Sequence, residues 1–489
     1  MFDSSDIPRR ARAAGLFLAS LLIFAFLPVA IRTAAQPKLQ TSPVRNRGTA
    51  SSEQVGSLLA QALALLKSGN LRDAEPLVRS AIESAPANSD AHNLLGIILD
   101  QKGQAPAAEK EFREALRLNP RSITSRANLG VLLARTGRTK EAIQSLEEVL
   151  RAAPQHPQAT FNLGLLYASK GDHLRAVQLL EQANALQPHS AEVLVAFGDE
   201  LSHVKRFDEA IVVFTEANSL NPTAPEPLYK LGLIASARGQ SEEAIDFWQR
   251  AIGLRSDFAE ANFMIGEELR RERSYQRAAW FYERALTQDP AKFAYHVRLG
   301  GAYLLLRQYD KALGIFQSAA LRFPSRPEAH YFVGIAARGR GSYEEAEVAF
   351  RKTVRLQPNN TDALAQLGFI VGERARYAEA EMLLHRAIKL GDKHFYAHYD
   401  LGRLLVKMRR YGEAIPLLER AGLLKPNNPD VHYQLFLAFV RLKRKDDADR
   451  EMVVFRKLDE QRKLREKAGE TEQDEYVPRS SSTSFPQQP

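Results

Sequence analysis

Five of the eleven histidines, His92, His296, His330, His398 and His432, fall in one register of a 34-residue interval, and regularly spaced imidazoles invite a metal reading. The interval itself argues against one. Equivalent positions on packed helices lie ~8–10 Å apart, whereas two ligands of one zinc ion each need a nitrogen at ~2.0–2.1 Å from it. His394 and His398 are four residues apart but lack the glutamate of an HExxH pair. These histidines are expected to be half-buried packing residues. Paired carboxylates such as Glu267-Glu268 and Glu344-Glu345 read as solvated helix faces, where glutamate is favoured. Cysteine is absent, which excludes disulfides, thiolate nucleophiles, Cys-ligated zinc and a lipidated N-terminal cysteine. There is no GxxxxGK(S/T) loop, no GxSxG elbow and no GxGxxG after a strand; Gly339-Arg340-Gly341-Ser342 reads as a turn between helices. The sequence therefore predicts no catalytic residue, no cofactor and no metal.

The same interval governs the elements that carry these side chains. Residues 157–190 are one copy: Phe161, Leu163, Leu165, Leu166 and Tyr167 leave an apolar stripe at helical spacing, and Val177, Leu179, Leu180 and Ala183 leave a second. Gly171-Asp172 turns the chain between them, and Pro188, with no amide hydrogen, ends the copy. Steps of 34 carry Gly164 to Gly130 and Gly96 and onward through Gly198, Gly232, Gly266, Gly300, Gly334, Gly368 and Gly402 without a residue gained or lost. Gly164 and Ala176 are expected to face each other where the paired helices cross.

The spacing of Leu163-Gly164, Tyr167, Ala176, Leu180, Ala183 and Pro188 resembles the tetratricopeptide repeat. Twelve such units run from about Val55 to about Arg462. The resemblance implies an all-α, right-handed superhelical solenoid, one continuous body in which each unit contacts its neighbours, with the first helices lining a concave peptide-binding face. On that face the fifth position of each unit supplies Phe161, Tyr229, Phe263, Tyr331, Tyr399 and Tyr433, beside an acidic row of Asp90, Glu192, Glu226, Glu260, Glu328, Asp362 and Asp430. Asn128 and Asn162 hold the sixth position of consecutive units, with Asn93 one place earlier in the unit before. An asparagine run of this kind would bond the backbone of a bound chain. The same position continues as Ala196, Lys230, Met264 and Arg298. The Lys, Asn, Asn, Lys, Arg set that clamps a C-terminal carboxylate in chaperone-binding members is not found. The alternative for the aromatic row is packing against the neighbouring helix.

The net charge of +9 concentrates at the ends, leaving residues 51–440 near neutral, which argues against a nucleic-acid stripe. Arg9, Arg10 and Arg12 precede an apolar run from Ala13 to Ile31 and the small residues Thr33-Ala34-Ala35. Residues 1–35 are thus expected to be a secretory signal or an uncleaved membrane anchor, residues 36–54 a flexible linker, 55–462 the array, and 463–489 the end of a capping helix and a disordered tail. These features point to an exported, non-catalytic scaffold for partner peptides or helices in a bacterial envelope, periplasmic, secreted or anchored in the inner membrane. Two alternatives are a membrane-anchored assembly factor for pili, exopolysaccharide or outer-membrane machinery, and a partner subunit of a glycosyltransferase. The array also resembles the repeat half of O-linked N-acetylglucosamine transferases, but the 27 residues after the last unit leave no room for a transferase domain.

Overall fold

Apolar side chains at helical spacing, interrupted every 14 residues or so by a turn, produce helices and nothing else. The structure, a computed structural model, describes residues 47–467. Those residues form twenty-four helices and no strand, two to each 34-residue step, from Arg47–Lys67 and Leu71–Ser84 to Pro429–Arg441 and Lys445–Lys467. The first helix begins at Arg47, so the last eight residues of the expected linker are helical. No proline interrupts Gly48 to Val55, and a helix nucleated by the following apolar turns propagates into them at little cost. The expected signal or anchor and the expected disordered tail lie outside the described residues. Among the described residues, no helix is long and apolar enough to cross a membrane.

The chain divides into two compact bodies between Arg238 and Gly239, in the turn of the sixth unit. Where each helix packs only on its neighbours, no core spans the whole length to forbid such a division. Within each body every helix touches the one before and the one after it, and the first helices of several neighbouring units also touch.

The conserved spacing has a different packing reason from the one expected. A Cβ on Gly96 would stand 2.6 Å from the Phe112 ring, on Gly164 3.0 Å from Leu180, and on Gly266 2.5 Å from Tyr282. Each glycine thus admits the large side chain sixteen residues on, rather than the alanine twelve on. Those large residues, including Phe112, Phe214, Tyr282, Phe316 and Phe350, are fully buried.

The turns inside the units share one conformation. Gly69, Gly103, Gly137, Gly171, Gly239 and Gly341 have positive φ, and so do Lys205, Arg273, Arg307, Ala375, Arg409 and Lys443 in the same register. The backbone there demands the left-handed region whichever residue is present, and six units meet that demand without glycine. Seven first helices start on side-chain caps: Asn88, Ser122, His156, Ser190, Asn360, His394 and Asn428 each accept from backbone amides of the first turn.

Candidate peptide groove

The expected contact residues sit on the first helices, and the structure separates them by role. Phe161, Phe263 and Tyr331 are buried. Phe263 packs between the Tyr282 and Tyr295 rings, at 5.6 and 4.8 Å between centroids, and Tyr331 lies edge-on to Phe350 at 5.7 Å. Burial pushes the Tyr331 phenol far above its ordinary value. These three are packing residues that leave little surface to a ligand. Tyr229 and Tyr399 are half-buried and Tyr433 is exposed. Tyr399 stacks on Phe395 at 5.7 Å, and burial, helped by Asp430, pushes its phenol up to about 12.

The sixth positions reach across to the preceding unit. Asn128 donates to Asn93 at 3.0 Å, so these two bond each other, while Asn162 turns to its own helix and donates to the Gln158 carbonyl at 2.8 Å. Further along, Lys230 pairs with Asp199 at 2.8 Å and Arg298 with Glu267 at 2.9 Å. The basic side chains that follow the asparagines are therefore occupied between units. In the acidic row, Asp362 meets His394 at 3.0 Å and Asp430 meets Arg462 at 3.3 Å.

Continuing that position through Phe332 and Gln366 leads to Asp400 and Gln434, which the sequence reading did not single out. Asp400 and Gln434 line a recess of about 320 Å³ together with Phe369, Glu373, Arg403 and Lys407. The recess draws on the first helices of three successive units, Thr361–Glu373, Phe395–Lys407 and Pro429–Arg441. Arg338 and Arg403 hold their guanidinium groups 4.2 and 4.8 Å from the centroid of the half-buried Phe369 ring. Arg338 donates to Gln366 at 2.5 Å and Arg403 pairs with Glu373 at 3.1 Å. Asp400 is 6 % exposed, and Arg403 stands 3.8 Å from its carboxylate, beyond hydrogen-bond distance. Burial pushes the Asp400 carboxyl up to about 6, against the opposing pull of Arg403 and Arg338. A buried carboxylate facing a recess can accept a hydrogen bond from an incoming donor that water supplies poorly there.

The fourth-position histidines close the loops between units. Nε2 of His92, His296 and His330 lies 3.1, 3.1 and 2.9 Å from the carbonyls of Pro86, Pro290 and Pro324. His398 contacts the Asp392 carbonyl at 2.8 Å, and His432 the Pro426 carbonyl at 3.4 Å. Arg126 does the same work in its unit, donating to the Pro120 carbonyl at 2.7 Å. A different group, His173, Glu200 and His203, places ligand atoms within 4.8 Å of one another. Positional counting misses it because its members occupy unlike positions of two units.

Two tetratricopeptide repeat family models match the chain, one over residues 59–123, 127–191, 229–293 and 297–361 and the other over 373–433. No curated protein matches it significantly. Among solved structures, it is similar to YrrB, described as a TPR protein with an unusual peptide-binding site, at 22% identity and a TM-score of 0.35, covering 38% of this chain and 95% of that one. It is also similar to PilF of Pseudomonas aeruginosa, at 22% identity and a TM-score of 0.39 over 42% of this chain and 94% of that one. The Cut9 and Hcn1 assembly of the APC/C reaches a TM-score of 0.41 at 14% identity, over 84% of this chain and 95% of that one. Similarities this low carry no weight for function. With the family models spanning more than half of its residues, and its helices paired in the same register, the chain belongs to the tetratricopeptide repeat family.

Proposed function

We propose that this protein is a non-catalytic scaffold that binds an extended partner peptide along the first helices of units ten to twelve. The observation that carries this reading is the recess between Phe369, Asp400 and Arg403, where a buried carboxylate and an aromatic face flanked by guanidinium groups meet on the first helices of adjacent units. A partner side chain with a hydrogen-bond donor fits such a lining: its apolar stem lies on Phe369 and its donor reaches Asp400. Export to a bacterial envelope belongs to the same proposal. It is supported by the arginines and apolar run of residues 9–31, which make the array available to envelope partners.

The test is selection of peptides from a random display library on the full chain, followed by titration of the recovered peptides against wild type, Asp400→Asn and Phe369→Ala. Loss of the carboxylate should weaken binding by about tenfold or more, the worth of one charge-assisted hydrogen bond. Recovered peptides that bind both variants as tightly as wild type would place the groove elsewhere.

A further inference from the structure

The carboxylate Glu200, more than nine-tenths buried, occupies a position that nine of the other units give to the apolar core. Counted by steps of 34, its equivalents are Ile98, Leu132, Leu166, Ile234, Ala302, Ala336, Ile370, Leu404 and Ala438, all of them buried. In the first unit the equivalent, Ala64, is exposed, and one other unit buries a carboxylate there, Glu268, 1 % exposed. Glu268 is compensated in a familiar way: Arg271, three residues on, pairs with it at 2.5 Å, and the Ser241 hydroxyl donates to it at 3.0 Å. A carboxylate buried without a cation is strongly disfavoured, so Glu200 needs an equivalent.

In the place of that arginine stands His203, and in the place of Ser241 stands His173. Glu200 and His203 lie three apart on one face of the helix Ala191–His203, and His173 opens the helix His173–Leu186 of the unit before. His173 Nδ1 is 2.8 Å from Glu200 Oε2, and the two imidazole rings stack with centroids 4.4 Å apart. One ligand atom from each residue lies within 4.8 Å of the others. From these observations we infer that His173, Glu200 and His203 bind a divalent transition-metal ion of the zinc class, which ties unit four to unit five.

Two imidazoles and one carboxylate are the donors that zinc and its neighbours prefer, and three protein ligands leave a fourth position for water or a partner group. Donors on a tetrahedral zinc at ~2.0–2.1 Å are separated by roughly 3.4 Å, so the cluster must tighten by somewhat more than an ångström. An ion bound to both rings must also lie in both ring planes, which a stacked pair does not allow. His203 is the exposed member and ends its helix, so its ring turns out of the stack without disturbing the core. Glu200, held between core residues, supplies the fixed point.

The test is a titration of the full chain, free of any histidine tag and stripped by a chelator, with zinc chloride against a competing chromophoric chelator. One zinc per chain is expected, weakened more than about 100-fold in Glu200→Gln and in the double variant His173→Ala/His203→Ala, since losing a ligand exceeds the 10–100-fold cost of losing its supporting shell. Helical circular dichroism should match wild type, and zinc should raise the melting temperature of wild type but not of His203→Ala. Absence of saturable binding in wild type would mean that Glu200 is satisfied by its hydrogen bond to His173 without an ion, and the inference would fall. Equal binding by the double variant would assign the ion to other histidines, with the same consequence.

Discussion

Glu347 illustrates how single residues join neighbouring units. It is buried, yet Arg351 and Arg374 reach it at 2.8 and 2.7 Å, and Arg376 contacts it as well. Burial alone would raise its pKa; the hydrogen bonds from the three arginines outweigh that and hold it below the ordinary glutamate value of 4.5. A depressed folded-state value stabilises the protein above 4.5, and that contribution is lost as pH falls through the lowered value. Glu347→Gln should therefore lower the free energy of unfolding at pH 7 by on the order of 1–2 kcal/mol, a modest figure because the arginines are partly solvated. The difference from wild type should shrink as unfolding is repeated below pH 4.5. Asp400 has the opposite sign. Its carboxyl is raised to about 6, so binding of a donor to its ionised form should weaken as pH drops below about 6, an effect that titrations of a selected peptide at two pH values would show and that Asp400→Asn should abolish. The placement of the aromatic row on first helices was legible from the register, but its burial was not: Phe161 and Tyr331 are buried where Tyr433, in the same position of the last unit, is exposed, and the recess residues Phe369, Asp400 and Arg403 follow no repeated residue type.

Among elements, the glycines divide into those the packing needs and those it does not. Gly266→Ala would set a Cβ 2.5 Å from the Tyr282 ring and should destabilise by ~1–3 kcal/mol through overpacking. Gly314, exposed in the middle of the helix Tyr309–Arg322 with no neighbour within 4 Å of a built Cβ, should behave oppositely. Gly314→Ala should stabilise by about 1 kcal/mol through helix propensity. At the turns, Ala375 is exposed with φ 62, and Ala375→Gly should relieve strain by roughly 0.5–1 kcal/mol. Chemical denaturation of the three variants checks all of these signs together. Helix boundaries were legible because Gly171 and Pro188 punctuate the repeat chemically. The partner of Gly164 was not: spacing placed Ala176 nearby, whereas the crossing geometry brings Leu180 against it. His173, Glu200 and His203 escaped notice for a related reason, since a cluster built from the end of one helix and the start of another has no common interval.

For the whole molecule, a chain of units that pack on their neighbours predicts stability that varies along its length. The first and last units have a neighbour on one side only, and the last helix, Lys445–Lys467, is strongly charged. Amide exchange should open these ends well before the helices between Ser89 and Leu424. The repeated register made the class of fold readable from sequence, while the division at Arg238 and Gly239 was not, because the period passes through it unchanged. The central claim is that partner peptides dock on first helices. Hydrogen exchange of the full chain with and without a selected peptide tests it most directly. Added protection should concentrate in the helices Thr361–Glu373 and Phe395–Lys407 and disappear in Asp400→Asn; protection confined to the second helices, Tyr377–Leu390 and Tyr411–Leu424, would contradict it.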